Sequence, residues 1–150
     1  MQAQALSVTV AWLRLERAHA DYARHLRAEF GVTPLQLSIL AILSERPALP
    51  LAALRKALVM HAATLGQAVD EMRRAGLVVV RANPEDRRAR VVAIGGKGLE
   101  LLERAPKAGP VRLRDLSGNR EQLDRMRDAL NDGVELFGLA PWLPETTDGR

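Results

Sequence analysis

The residues of this chain best suited to chemistry are arginines, and the chemistry they suit is phosphate binding. Between residues 73 and 90 there are six arginines, at 73, 74, 81, 87, 88 and 90, against two acids, Glu85 and Asp86. That local excess of +4 equals the formal charge of the whole 150-residue chain, so the remainder is neutral on balance. Charge gathered on one segment of an otherwise balanced protein is what a phosphate-binding edge requires. The plainer alternative is a solvated hairpin that merely carries arginines.

The elements that must position these cations can be read from the flanking sequence. Residues 77–81 and 90–94 carry the β-branched density of strands, and Asn83-Pro84 breaks the first run with turn chemistry. The six residues from Asn83 to Arg88 are therefore a hairpin tip. Upstream, Leu51, Leu54 and Leu58 make one apolar stripe on a short helix opening at Pro50, a favourable first helical residue. A break follows at Val59-Met60. Residues 61–75 then read as a second helix, with Leu65, Val69 and Met72 facing inward and His61, Thr64, Gln67 and Glu71 facing out. Gly76 stops it, because glycine takes the left-handed conformation that ends helices, and Leu77 can pack back on the last turn. Helix, turn, helix and hairpin make a winged helix-turn-helix.

At this point the sequence resembles the MarR family of bacterial transcriptional regulators. The resemblance is carried by Val69-Asp70-Glu71-Met72-Arg73-Arg74-Ala75-Gly76-Leu77-Val78, then by Asn83-Pro84-Glu85-Asp86-Arg87-Arg88, which follows the family's D-P-x-D-x-R wing. It runs from about residue 6 to 137. Where family members have Leu-Thr-x-x-Gly before a long helix, this chain has Ile94-Gly95-Gly96-Lys97-Gly98, keeping the aliphatic residue and the last glycine. Leu54-Arg55 replaces a common Leu-Ala. The start of the recognition helix, His61-Ala62-Ala63-Thr64-Leu65-Gly66-Gln67, offers few side chains able to read a base. Pro106 and Gly109-Pro110 interrupt what is normally a continuous helix.

The flanks read as an all-helical dimerisation layer around this lobe. In residues 6–30, Trp12, Leu15, His19, Tyr22 and Leu26 recur at three- and four-residue steps, with Leu6, Leu13 and Ala20 on a neighbouring face. Thr33-Pro34-Leu35-Gln36 is a capping box that starts a helix carrying Leu37, Leu40 and Leu43 inward and ending near Glu45. Asn119 and Gln122 suit the cap of a last helix over about 120–137, striped by Leu123, Met126, Leu130, Val134 and Phe137. Leu139, Trp142 and Leu143 are too apolar for a free tail, while residues 144–150 are expected to stay disordered. The fold expected is thus mainly α with a small β-hairpin wing in one domain. Residues 34–95 would form the DNA-binding lobe, and residues 6–30 and 97–143 the dimerisation helices. In the family the first and last helices of two subunits interlock; packing within one subunit is the alternative.

Composition sets the outer bounds. At 150 residues and 47% hydrophobic, the chain can bury a core but is too short for two full domains. No apolar run reaches the roughly 18 residues of a membrane span. The first four residues lack the basic-then-apolar order of a secretory signal, so the expected compartment is the cytoplasm. Without cysteine there is no disulfide, thiolate metal site or thiol sensor. His19, His25 and His61 belong to no metal-ligand or nucleophile motif, and Gly95-Gly96-Lys97-Gly98 lacks the arch of a phosphate loop. Catalysis, cofactors and metals are not expected.

Roles then follow for double-stranded DNA as partner. A two-fold dimer would set two recognition helices in successive major grooves about 10 base pairs apart, on a palindromic operator. Thr64 and Gln67 suit base edges because both donate and accept, and His61 suits a phosphate or a base. Arg88 suits the minor groove, with Asp86 two residues earlier able to pair with it and fix its direction, as in the family's Asp-x-Arg wing. Arg81, Arg87 and Arg90 suit phosphates. The family resemblance further implies a small aromatic or anionic effector between the two layers, for which Trp12, Arg14, His19 and Tyr22 are candidates; core packing is the alternative, and for His19 the commoner one. The rival function is a winged-helix protein acting through protein contacts, or a DNA binder of little sequence choice.

Overall fold

The Thr33 hydroxyl accepts the N–H of Gln36 and the Gln36 side chain accepts the N–H of Thr33, so the expected capping box is formed and α2, Pro34–Glu45, starts there. In this computed structural model, which describes residues 1–116 and 119–144, α2 is the centre of the molecule. It buries Leu37, Ile39, Leu40, Ala41, Ile42 and Leu43, more than the single stripe expected, because it is enclosed on several sides. A helix apolar nearly all round must be a core helix. Each fully buried leucine contributes roughly 1.5–3 kcal/mol relative to exposure.

Around α2 the chain lays down α1 (Gln2–Phe30), α3 (Leu51–Leu58), α4 (Ala62–Arg74) and α5 (Gly96–Arg104). A 3-10 segment, Gly109–Asp115, leads to α6 (Arg120–Leu136), and a second short one covers Ala140–Trp142. The wing strands are β2 (Val78–Ala82) and β3 (Arg90–Ile94), each within a residue of expectation. The interruption expected from Pro106 and Gly109-Pro110 is present: α5 ends at Arg104, and Gly109 and Pro110 open the 3-10 segment. Expected disorder in residues 144–150 lies outside the described residues except for Pro144.

Three local expectations need correction. A third strand, β1 (Ala48–Pro50), pairs antiparallel with β3 in the order β1-β3-β2, with Leu49 opposite Val92. Pro47 just before it and Pro50 at its end disguise it as a turn, yet proline is tolerated on an edge strand. Pro50 consequently caps α3 from outside instead of opening it. Asn119 does precede α6, but its side chain caps no backbone N–H and bonds the Gln122 side chain instead. Two amide side chains that can bond each other satisfy that pair without the helix end.

The outer layer is where burial stops. Among the described residues α6 buries none, and α1 buries only Leu26. Leu13, Leu15, Leu130 and Leu136 are all more than half exposed, and Trp142 is 77% exposed. Trp12 meets Phe137 edge-on, with ring centroids 5.5 Å apart, which joins α1 to the end of α6.

Candidate nucleic-acid interface

The turn between α3 and α4 is made by Val59, the only described non-glycine residue with positive φ, at φ 50° and ψ 59°. A β-branched side chain in that region is strained. The turn nonetheless holds, with Met60 N–H donating to the Arg55 carbonyl at 3.3 Å. Beyond it His61 is extended and stands just before α4, its carbonyl accepting from Leu65 N–H and its side chain leaving the helix end uncapped.

Helix α4 seats Leu65, Val69 and Met72 in the core, each 3% exposed or less. His61, Thr64 and Gln67 are exposed, as the periodicity requires. Glu71 is only partly exposed. Its carboxylate accepts from the buried Gln36 side chain at 2.9 Å, because the second half of α4 runs beside the start of α2, where the Ala68 carbonyl also accepts from Gln36. Helical spacing puts Ala63, Gln67, Asp70 and Arg74 on the line farthest from the Leu65-Val69-Met72 stripe. The sequence reading counted Arg74 in the charge but did not place it here, although that same stripe would have located it.

The end of α4 is a Schellman motif. Gly76, at φ 74°, donates to Arg73 O, and Leu77 N–H donates to Met72 O, both at 3.0 Å. Leu77 is buried, and its carbonyl accepts from Gly95 N–H at 2.9 Å. A Cβ on Gly98 would come within 2.3 Å of that carbonyl oxygen. The root of the wing is therefore clamped between the end of α4 and the start of α5.

From that root the hairpin runs out in register, Val78 opposite Ile94 and Ala82 opposite Arg90. Its tip is folded by two successive side-chain turns. Asn83 Oδ1 accepts from Glu85 N–H at 3.1 Å, and Asp86 Oδ1 accepts from Arg88 N–H at 3.0 Å. The backbone closes the loop through Asn83 N–H to Ala89 O at 2.8 Å. Arg81, Arg87, Arg88 and Arg90 are all exposed, and none forms an ion pair among the described residues. The expected pairing of Asp86 with the Arg88 guanidinium is corrected by this geometry: the carboxylate holds the backbone two residues on, the short-range partner an aspartate in a turn reaches most easily.

The four residues considered for an effector are spread along α1, with the His19 and Tyr22 rings 6.4 Å apart. Trp12 packs on Phe137. Tyr22 Oη donates to Pro106 O at 2.7 Å and accepts from Ala108 N–H at 3.3 Å, tying α1 to the turn after α5. His19 is exposed rather than a core residue, since α1 carries it beside Gly109 on the surface. Arg14 lines an open groove of about 620 Å³ along α1 with Val10, Leu13 and Arg17. Among the described residues, no three His, Asp or Glu side chains cluster as a metal site. No single described helix is long and apolar enough to cross a membrane.

A helix-turn-helix whose second helix leads directly into a three-stranded wing defines a winged helix-turn-helix protein. Residues 30–89 match the family model described as MarR family. The solved structures it resembles include the transcriptional regulator BldR from Sulfolobus solfataricus, at 24% identity and a TM-score of 0.64, covering 87% of this chain and 96% of that one. A probable transcriptional regulator from Pseudomonas aeruginosa is 28% identical with a TM-score of 0.56, covering 79% and 92%. A structure of reduced AbfR bound to DNA is 16% identical with a TM-score of 0.65, covering 89% and 95%. No curated protein sequence matches significantly.

Proposed function

We propose that this protein is a homodimeric transcriptional repressor that binds a palindromic DNA operator and is released by a small aromatic or anionic effector. The observation that carries the DNA-binding part is the wing: four exposed arginines without acidic partners, Arg87 and Arg88 on a loop folded by its own side chains and Arg81 and Arg90 on the strands that flank it, beside a helix whose outer line is solvent-exposed. Unpaired arginines on a preformed loop lose little freedom on meeting phosphates. Thr64 and Gln67 read base edges, Arg88 enters the minor groove, and His61, Arg81, Arg87 and Arg90 hold the backbone. The AbfR complex supports DNA as partner for this fold. The bare faces of α1 and α6 support the homodimer, because apolar patches of that extent seldom stay in water.

A second reading is favoured by one observation. Ala62, Ala63 and Gly66 occupy much of the first half of α4, which leaves few side chains to distinguish bases and suits a DNA binder of low sequence choice. Titration of a labelled random-sequence duplex at several salt concentrations tests the part common to both readings. Binding whose log K falls linearly with log salt is expected. Absence of binding at about 50 mM salt, where phosphate contacts are strong, sinks both.

A further inference from the structure

Gln36 is the one buried polar residue among those described, 2% exposed. Its Oε1 closes the capping box of α2 on Thr33 N–H at 3.0 Å. Its amide nitrogen points the other way, donating to Glu71 Oε2 at 2.9 Å and to the Ala68 carbonyl at 3.4 Å, both on α4. The same Glu71 oxygen lies 3.9 Å from Arg27 Nη1, and Arg27 donates to the Gly31 carbonyl at the end of α1. Three elements thus meet at one carboxylate. The apolar contacts of α4 hold it in the core, but their attraction has no direction and sets the register of the helix less sharply than hydrogen bonds would. Hydrogen bonds at Ala68 and Glu71, about one turn apart, do set it.

We infer that Glu71 is a positioning residue for base reading, which fixes through Gln36 the rotation and axial setting of the helix that carries Thr64 and Gln67. The inference rests on the reading of α4 as the base-reading helix. Coulomb attraction and positioning make opposite forecasts here. Deleting an acid from a DNA-facing lobe tightens binding to every sequence. Loosening the register weakens binding only where bases are read, because phosphate contacts tolerate small shifts.

The test uses the full chain as wild type, Glu71→Ala and Glu71→Gln. Each is titrated against a duplex carrying the sequence that the wild type selects from a random pool, and against a scrambled duplex of the same composition. Thermal unfolding of each variant is recorded alongside. Glu71→Ala should lose roughly tenfold on the selected duplex, the worth of one hydrogen bond to a charged group, and lose nothing on the scrambled one. Glu71→Gln keeps an oxygen that accepts from Gln36 and should restore the selected-to-scrambled ratio. If Glu71→Ala melts below the assay temperature, Glu71→Met, which retains volume without an acceptor, takes its place. An unchanged ratio in the variant lacking the acceptor overturns the inference and leaves the base-reading assignment standing. Equal loss in Glu71→Gln overturns it too, because the acceptor for Gln36 would then be present without restoring the ratio. A wild type that selects no sequence removes the base-reading assignment, and the inference with it.

Discussion

Asp86 holds the backbone of Arg88, not its guanidinium: Asp86 Oδ1 accepts from Arg88 N–H at 3.0 Å, inside a loop that Asn83 folds in the same way one turn earlier. The acid is thereby part of the loop's shape. All the arginines carried by the loop depend on it, and Arg88 has no privileged claim.

That relationship separates two variants of one residue. Asp86→Asn keeps an oxygen for the Arg88 N–H and removes a charge that phosphate repels, so it should bind DNA as well as the wild type or tighter. Asp86→Ala loses the turn and should bind about 0.5–1.5 kcal/mol more weakly near physiological salt, the usual net worth of a hydrogen bond. The loss should persist in an Arg88→Ala background, because Arg87 rides on the same loop and Arg90 opens the strand that follows it. Fluorescence anisotropy with a labelled duplex measures all five proteins, wild type included; loss of effect in that background would return Asp86 to a partner of Arg88 alone.

Base readers and phosphate holders should part company. Thr64→Ala or Gln67→Ala should cost roughly 1–3 kcal/mol on the selected sequence and almost nothing on scrambled DNA. Arg87→Ala and Arg90→Ala should weaken both alike and flatten the salt dependence. Four variants with one common profile would contradict the division.

Gly98 tests the clamp at the root of the wing. Its substitution by alanine drives a Cβ to 2.3 Å from the Leu77 carbonyl oxygen, which is backbone and already bonded to Gly95 N–H. Destabilisation of about 1–3 kcal/mol in chemical denaturation is expected, as for other overpacked sites. A stability equal to wild type would mean that α5 slides freely on the wing.

Much of the lobe was legible because its signals are local. Thr33 and Gln36 announce a helix start three residues apart, Gly76 announces a stop, and Leu65, Val69 and Met72 repeat at helical spacing, all as found. What stayed hidden depends on partners distant in sequence. Strand β1 exists only because β3, some 40 residues later, offers an edge to Ala48–Pro50. Glu71 looks solvated until α2 places Gln36 against it, 35 residues away. Asp86 shows the converse: the expected ion pair gave way to a nearer acceptor geometry, since a backbone N–H two residues on costs less freedom to reach than a long guanidinium.

Val59 offers a gain rather than a loss. Its side chain is 54% exposed and contributes little burial, while its φ of 50° suits glycine. Val59→Gly should raise stability by roughly 0.5–1 kcal/mol after the added entropy of the unfolded chain. Differential scanning calorimetry decides the sign, and a lower melting temperature would mean that the valine is not strained.

The central claim is that α4 and the wing of two subunits together read a two-fold DNA site. Selection of bound sequences from a random duplex pool at physiological salt, with the mass of the selected complex measured by light scattering, tests it most directly. An inverted repeat with half-site centres about 10 base pairs apart, bound by two 16.5 kDa chains, is the result expected. An enriched pool without any repeat, or a complex containing one chain, would contradict it.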